Sequence, residues 1–158
     1  MKIKREKNEL ELGGILNESV TIENLLAYYE LASKDSSVII LNFENVKRAN
    51  SCGIVTLIHS IEQVKHPVHF SRCPVWLVEQ LNQIAEFFTL NIKIISVFAP
   101  YIEEKTEKYV MKLIEIEDDF VKNGTIQSLH EQTNENGLKI VADFDSEDFF
   151  GFITRHKK

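Results

Sequence analysis

The fold of this chain is decided by the stretch VIILNFENVKRANSCGI, which occupies residues 38–54. It opens on four consecutive apolar residues, Val38 to Leu41, a run typical of a strand buried on both faces of a parallel sheet. A polar loop follows, and from Ile54 onward apolar residues recur at helical spacing. The stretch therefore predicts a buried strand, a loop and an amphipathic helix that begins close to Ser51.

The residues before this stretch predict two short strands and a helix. Asn8 to Leu12 alternates polar and apolar residues and ends at Gly13-Gly14, which is typical of a strand followed by a turn. Ile15-Leu16 continues as a short second strand. Thr21 then precedes apolar positions at helical spacing, so Thr21 or Ser19 is expected to cap a first helix.

The residues after the stretch continue the alternation. The second helix ends at Pro67, a short strand covers residues 68–71, and Pro74 suits the first position of a third helix that extends to Phe88. A strand over residues 92–98 follows. The predicted order is β-β-α-β-α-β-α-β, which implies an α/β fold in which helices cover a mostly parallel sheet.

Composition narrows the class of protein. The 158 residues are 44% hydrophobic and 27% charged, which is typical of a globular chain with a sizeable core. The formal charge of −6 argues against nucleic acid as a partner. Only two cysteines are present, so a disulfide scaffold is excluded. No apolar run is long enough for a membrane span, and the basic N-terminus lacks the apolar stretch of a signal peptide, so a cytoplasmic protein is expected.

The chain is expected to contain two parts. Residues 1–98 are nearly neutral, whereas residues 99–158 carry most of the excess negative charge and a lower density of apolar residues. The boundary is therefore placed near Pro100, which gives domains of residues 1–98 and 99–158. No Gly/Ser-rich linker separates them, so the second part is expected to pack closely on the first.

The second part predicts a small α+β, hairpin-rich appendage. Strands are expected over residues 109–116 and 138–141, with turns at Asn123-Gly124 and Asn136-Gly137. Ser146 is expected to cap a short final helix. The phenylalanines at positions 144, 149, 150 and 152 are too many for so small a piece to bury alone, so they are expected to dock on the first part.

The stretch at residues 38–54 resembles the STAS family, to which bacterial anti-sigma factor antagonists belong. Members carry a buried strand, a loop, and then Asp-Ser-Ser-Gly or a relative of it at the start of a helix, where this chain has Asn50-Ser51-Cys52-Gly53. The resemblance covers roughly residues 7–98. It implies a STAS-like mixed β-sheet with covering helices, and a protein that acts by binding other proteins.

The resemblance also implies a site. Ser51 matches the residue that a partner kinase phosphorylates in some members, although Asn50 stands where aspartate is usual and Cys52 replaces the second serine. The expected partner-binding surface consists of Ser51, Cys52 and Gly53 together with the preceding loop, Asn45 to Asn50, which includes Arg48. A simpler interpretation is that Ser51 only caps the helix. Gly53 is expected to serve close packing or an unusual backbone angle.

The second part resembles the zinc-ribbon-like extension of some STAS-like proteins, through Ala99-Pro100-Tyr101 and an ending rich in Asp and Phe. The two Cys-x-x-Cys pairs of that extension are missing here. Glu103 and Thr106 stand at the first pair, and Thr133 and Asn136 at the second. Because structural zinc needs cysteine or histidine in most positions, the appendage is expected to be a metal-free relic without any cofactor.

The function expected from these residues is non-catalytic regulation through protein–protein contact, with a partner similar to an anti-sigma factor kinase. An alternative is a STAS-like accessory subunit of a transporter or another assembly, which is not phosphorylated. An enzyme is the third hypothesis, but no paired carboxylates, nucleophile with a base, or metal-ligand spacing favour it. The histidines are scattered, and Pro67 separates His66 from His69.

Overall fold

The structure, a computed structural model, describes residues 1–117 and 129–155. The helices and strands are β1 (Lys2–Glu6), β2 (Glu9–Leu16), α1 (Ile22–Ser33), β3 (Ile39–Ala49), α2 (Ser51–Glu62), β4 (Val68–Ser71), α3 (Val75–Gln83), a 3₁₀ helix (Ala85–Thr89), β5 (Ile92–Ile94), β6 (Ser96–Glu103), β7 (Tyr109–Glu115), β8 (Glu131–Thr133), β9 (Lys139–Ala142), α4 (Ser146–Phe149) and α5 (Gly151–Arg155). The order β-β-α-β-α-β-α-β is present from β1 to β5, although its first two strands are not the two that were predicted. This confirms the α/β class and the mixed sheet with covering helices.

The first sheet has the strand order β1-β2-β3-β4-β5, in which β1 is antiparallel to β2 and the other pairs are parallel. Because the parallel strands follow one another in order, right-handed crossovers place α1, α2 and α3 on the same face. The expectation that the central strand is buried on both faces is therefore met only in part, since Asn42 on the face away from the helices is 9% exposed. Ile39 and Leu41 are fully buried beneath the helices, whereas Ile40 on the other face is only half-buried.

Strand β1 was not expected, and Glu9–Leu16 is one strand rather than two. Lys2–Glu6 contains a single apolar residue, Ile3, so it lacks the alternation that marks a half-buried strand. It forms the antiparallel edge of the sheet, where charged side chains prevent pairing with other chains. The glycines Gly13 and Gly14, predicted as a turn, lie inside β2 and pair with β3 at irregular register.

The third helix is shorter than expected. Pro74 is its N-cap rather than its first helical residue, and α3 ends at Gln83 because Ile84 adopts an extended backbone. The apolar residues beyond that point continue in a 3₁₀ helix, where Phe87 is buried. The apolar residues keep their helical spacing through Ile84, so the apolar pattern does not reveal that the helix ends there.

The second sheet is antiparallel throughout, with the order β7-β6-β9-β8. The strand predicted over residues 92–98 is divided at Ile95 between the two sheets. Ile95 N donates to the Phe70 carbonyl at 2.8 Å, and the Ile95 carbonyl accepts from Ile116 N at 3.0 Å. The division of the chain between residues 98 and 99 stays a prediction, and that position lies within β6.

The C-terminal helices pack against α3. Phe149, Phe150 and Phe152 are buried, and Asn82 on α3 donates its side-chain N–H to the Phe149 carbonyl at 3.0 Å. Asp145, rather than the predicted Ser146, caps α4 by accepting from the backbone N–H of Asp148 at 3.0 Å. The turn predicted at Asn123-Gly124 lies outside the described residues.

Two hairpin turns of the second sheet are joined by one carboxylate. Glu103 is 9% exposed and accepts from Thr106 Oγ1 at 2.8 Å within its own turn. It also accepts from Asn134 Nδ2 at 2.7 Å in the β8–β9 turn, where Asn136 lies, while Thr133 is the last residue of β8. A polar network therefore joins the two places considered for the cysteine pairs. The resemblance to a zinc ribbon stays a prediction.

Candidate functional site

The start of α2 is capped by Asn50, not by Ser51. Asn50 has an extended backbone, and its Oδ1 accepts from Gly53 N at 3.0 Å. Ser51 is the first helical residue, so the interpretation of Ser51 as a cap is wrong. The physical reason is the spacing of the cap, because a capping side chain accepts from the backbone two or three residues ahead and Asn is as good a cap as Ser.

A second hydrogen bond fixes the orientation of the Asn50 amide. Its Nδ2 donates to Glu18 Oε2 at 2.7 Å, across the connection that leads from β2 into α1. This bond lowers the pKa of the Glu18 carboxyl below its usual value. The amide is therefore suited to this position, because it accepts with one end and donates to a carboxylate with the other. An aspartate, usual in the STAS pattern, would face Glu18 with a second negative charge.

Replacing Asn50 with aspartate is expected to invert the pH dependence that Glu18 contributes. In the wild-type chain the lowered pKa of Glu18 stabilises the fold at pH values above the ordinary carboxyl pKa. This stabilisation is lost as the pH falls through the folded-state pKa of Glu18. In Asn50→Asp the two facing carboxyls raise each other's pKa, so stability is lost as pH rises above about 4. Thermal unfolding of both chains at several pH values between acid and neutral measures how the stability of each depends on pH.

The control is the double variant Asn50→Asp with Glu18→Gln, in which the facing charge is absent and the cap is kept. It is expected to lose the inverted slope. Parallel pH profiles for Asn50→Asp and the wild-type chain would contradict the assignment of Asn50 as a bridge between Glu18 and the helix.

Gly53 lets the start of α2 pack directly against the end of β2. A β-carbon built at this position would overlap the Leu16 carbonyl group and lie 2.8 Å from Asn17 N. Of the two roles expected for Gly53, close packing is therefore the one the structure shows. The contact positions the residues on either side of Gly53 against the carboxyl end of β2.

The residues expected at the binding surface divide into two groups. Arg48, Asn50, Ser51 and Cys52 are exposed around the start of α2, whereas Gly53 is buried beneath them. Whether a partner binds these residues stays a prediction. Cys52 is a free, exposed thiol, and Cys73, the other cysteine, is fully buried.

Next to this surface a groove of about 590 Å³ runs between α2 and α3. On the α2 side it is lined by Ser51, Ile54, Val55 and His59, among others. Val55 is 48% exposed, although it is one of the apolar residues that predict this helix from Ile54 onward. Ile54 and Val55 are adjacent, so the apolar side of α2 is wider than the face that packs on the sheet. This extra width was the signal in the sequence that α2 has an exposed apolar edge.

The α3 side of the groove was missed by the sequence analysis. It includes Trp76, whose indole N–H donates to the Val46 carbonyl at 2.9 Å, together with Glu79 and Ile84. Periodicity assigns residues to a helix face but does not say which two helices lie side by side. That α2 and α3 are neighbours on either side of a groove therefore could not be predicted from either helix alone.

The charge of the groove is biased towards acid. Glu62, Glu79 and Glu86 line it, and Arg48 is the arginine at its upper end near Ser51. Such a groove offers apolar contact through Val55 at its exposed side. Within residues 1–117 and 129–155, no group of three or more His, Cys, Asp or Glu side chains is placed to hold a metal ion. Over the same ranges, none of the helices combines the length and the apolar character that crossing a membrane requires.

Comparison with known proteins finds similarity among solved structures alone. No protein-family model matches the chain, and no curated protein matches it. A solved structure, that of the anti-sigma factor antagonist SpoIIAA in its unphosphorylated form, is 19% identical with a TM-score of 0.31. The match covers 44% of this chain and 70% of that chain. At this level of similarity, the surface at α2 is interpreted from its own geometry.

Proposed function

We propose that this chain is a non-catalytic regulatory protein that binds a protein partner through the start of α2 and the groove between α2 and α3. The observation that carries the proposal is the position of exposed Ser51 at one end of a groove that also exposes Val55. Contiguous exposed apolar patches rimmed by polar residues mark interaction sites, and here Val55 lies in the same groove as the half-buried Ala49, Trp76 and Ile84.

The resemblance of residues 38–54 to the STAS family supports a finer proposal for the partner. It is a protein similar to the anti-sigma factor kinases of bacterial partner-switching systems, and it modifies Ser51. A phosphate on the first helical residue would lie close to the positive end of the α2 dipole, so the helix tolerates it. The same phosphate would place about two negative charges on the binding surface, where contact with the partner would have to desolvate them, and so oppose binding.

Ser51→Asp is expected to weaken partner binding about 100-fold, whereas Ser51→Ala binds almost normally. The carboxylate is compatible with the helix start, but it must be desolvated in the interface without a counter-charge. Since Asn50 provides the cap, both variants should change the free energy of unfolding by less than about 1 kcal/mol. The measurement is partner affinity and melting temperature for the three proteins, after capture of the partner from the native cell and its identification by mass spectrometry.

Ser37→Asp is the matched control, because Ser37 is exposed and lies before β3, at the opposite end of that strand from Ser51. It adds the same charge away from the groove and should leave affinity unchanged. Equal affinities for the wild-type, Ser51→Ala and Ser51→Asp chains would contradict a partner at Ser51. That result would favour the alternative, an accessory subunit of a transporter or another assembly that is never phosphorylated.

A further inference from the structure

The open face of the first sheet contains a hollow that the proposed partner surface does not use. Gly13 and Gly14 lie in the middle of β2 and have no side chains, so the side chains of β1 and β3 stand on either side of a bare strand. The resulting hollow has a volume of about 490 Å³ and is lined by Lys2 and Lys4 from β1 and Lys47 from β3. It is on the face opposite the helices.

The three lysines in this hollow outnumber its one carboxylate, that of Glu11, which is opposite Lys4 in register. Within the described ranges, 1–117 and 129–155, none of Lys2, Lys4 and Lys47 forms an ion pair. Lys2 is paired in register with Gly13 and so has no side chain opposite it. Glu11 is the carboxylate that lines the hollow, and its Oε1 already accepts from Asn45 Nδ2 at 2.9 Å. Positive charge is therefore concentrated here in a chain whose formal charge is −6.

The dimensions suit an anion held between the two outer strands. Neighbouring strands are about 4.8 Å apart, so β1 and β3 are separated by roughly 10 Å across β2. Lysine side chains that reach inward from both sides can contact a phosphate group over the two glycines. Lysine binds phosphate as a compact charge with three donors, and three such groups favour a ligand with more than one negative charge.

We propose that this hollow binds a small, soluble phosphorylated molecule. An extended anionic surface fits it less well, because Glu6 and Glu9 are directly opposite one another on the neighbouring strands and continue the same face. Those carboxylates would repel a lipid bilayer or a nucleic-acid backbone laid across the sheet. The positive patch is confined to the hollow, which selects a ligand that fits within it.

A substitution at Gly13 or Gly14, the two glycines beneath the hollow, would fill the hollow without adding or removing charge. A β-carbon at Gly13 would have its nearest neighbours at 3.7–4.0 Å, which is ordinary contact, so a larger residue is sterically accepted. Gly14 differs, because its φ of 101° strains any residue with a side chain. Gly13→Val therefore tests the space above the strand, and valine suits a strand position.

The experiment is a titration of the isotope-labelled full chain with inorganic pyrophosphate, followed through the backbone amide signals of Gly13 and Gly14. We expect saturable shifts confined to the hollow. Lys2→Gln and Lys47→Gln should each weaken binding about tenfold, which is the loss of one charge-assisted hydrogen bond. Gly13→Val should abolish the shifts, and Lys105→Gln, at an exposed position in the β6–β7 turn, should leave the affinity unchanged. Melting curves confirm that each variant is folded.

Three outcomes would overturn the proposal. The first is no saturable shift at Gly13 and Gly14 with pyrophosphate. The second is equal weakening by Lys105→Gln and Lys47→Gln, which would indicate non-specific attraction. The third is binding to phosphatidylcholine vesicles that contain phosphatidylserine, without any binding of pyrophosphate, which would assign the lysines to a membrane surface instead.

Discussion

Gly53→Ala is expected to destabilise the folded chain by at least about 3 kcal/mol, or to prevent folding altogether. The added methyl group would overlap the Leu16 carbonyl, which is backbone and cannot rotate away as a side chain would. Relief would require α2 to move away from the end of β2 and would disturb the hydrogen bond from Asn50 N to the Leu16 carbonyl, which is 3.1 Å long. For a chain of this length, 3 kcal/mol corresponds to a decrease of about 6–12 °C in melting temperature.

The control is Ser51→Ala, two residues earlier on the same helix. Ser51 is exposed and does not cap the helix, so its substitution should change the melting temperature by only a degree or two. Circular dichroism melting of the two variants beside the wild-type chain separates a general effect on α2 from the contact at Gly53. A Gly53→Ala chain with the wild-type melting temperature would show that the contact with Leu16 is looser than described.

Phe150→Ala is expected to cost about 3–5 kcal/mol, the usual loss when a buried aromatic ring becomes a cavity. Phe150 is fully buried, and its ring centroid lies 5.0 Å from that of Phe149 and 5.6 Å from that of Phe144. The cluster packs between the second sheet and α3, so the loss should affect the whole chain rather than its last residues. Thermal or urea unfolding of the full-length chain measures the effect.

Tyr109→Ala is the matched control for Phe150→Ala, because Tyr109 is an aromatic residue of the second sheet that is 76% exposed. It should change the free energy of unfolding by no more than about 0.5 kcal/mol. If both substitutions had equally small effects, the aromatic cluster would not contribute to holding the C-terminal helices on α3.

The strand and helix at residues 38–54 were predictable because both patterns are local, but the loop predicted between them is wrong, because β3 stays paired with β2 as far as Ala49. Four apolar residues followed by helical spacing describe an element and the next one along the chain. The N-cap was assigned one residue too late, since Asn50 and Ser51 are both good caps and only the bond to Gly53 N distinguishes them. Strand β1 was missed because it has no local apolar pattern. An edge strand with a single apolar residue shows no alternation that the sequence could reveal.

The parts of the site that sequence reasoning missed are contacts between elements. The groove depends on α2 lying beside α3, and the lysine hollow depends on β1 and β3 flanking the same two glycines. Gly13-Gly14 was interpreted as a turn because adjacent glycines usually mark one. Only the pairing of β2 with both neighbours shows that the glycines continue the strand.

The position of Trp76 gives this protein an optical probe of its own. It is the only tryptophan in the chain, so all indole fluorescence comes from one place. The ring is half-buried at the edge of the α2–α3 groove and is anchored by its bond to the Val46 carbonyl. A partner that covers the groove would remove water from the exposed part of the ring and move its emission towards the blue, whereas unfolding would expose the ring and move emission towards the red. Binding and denaturation can thus be distinguished by the direction of one spectral shift, without attaching a dye.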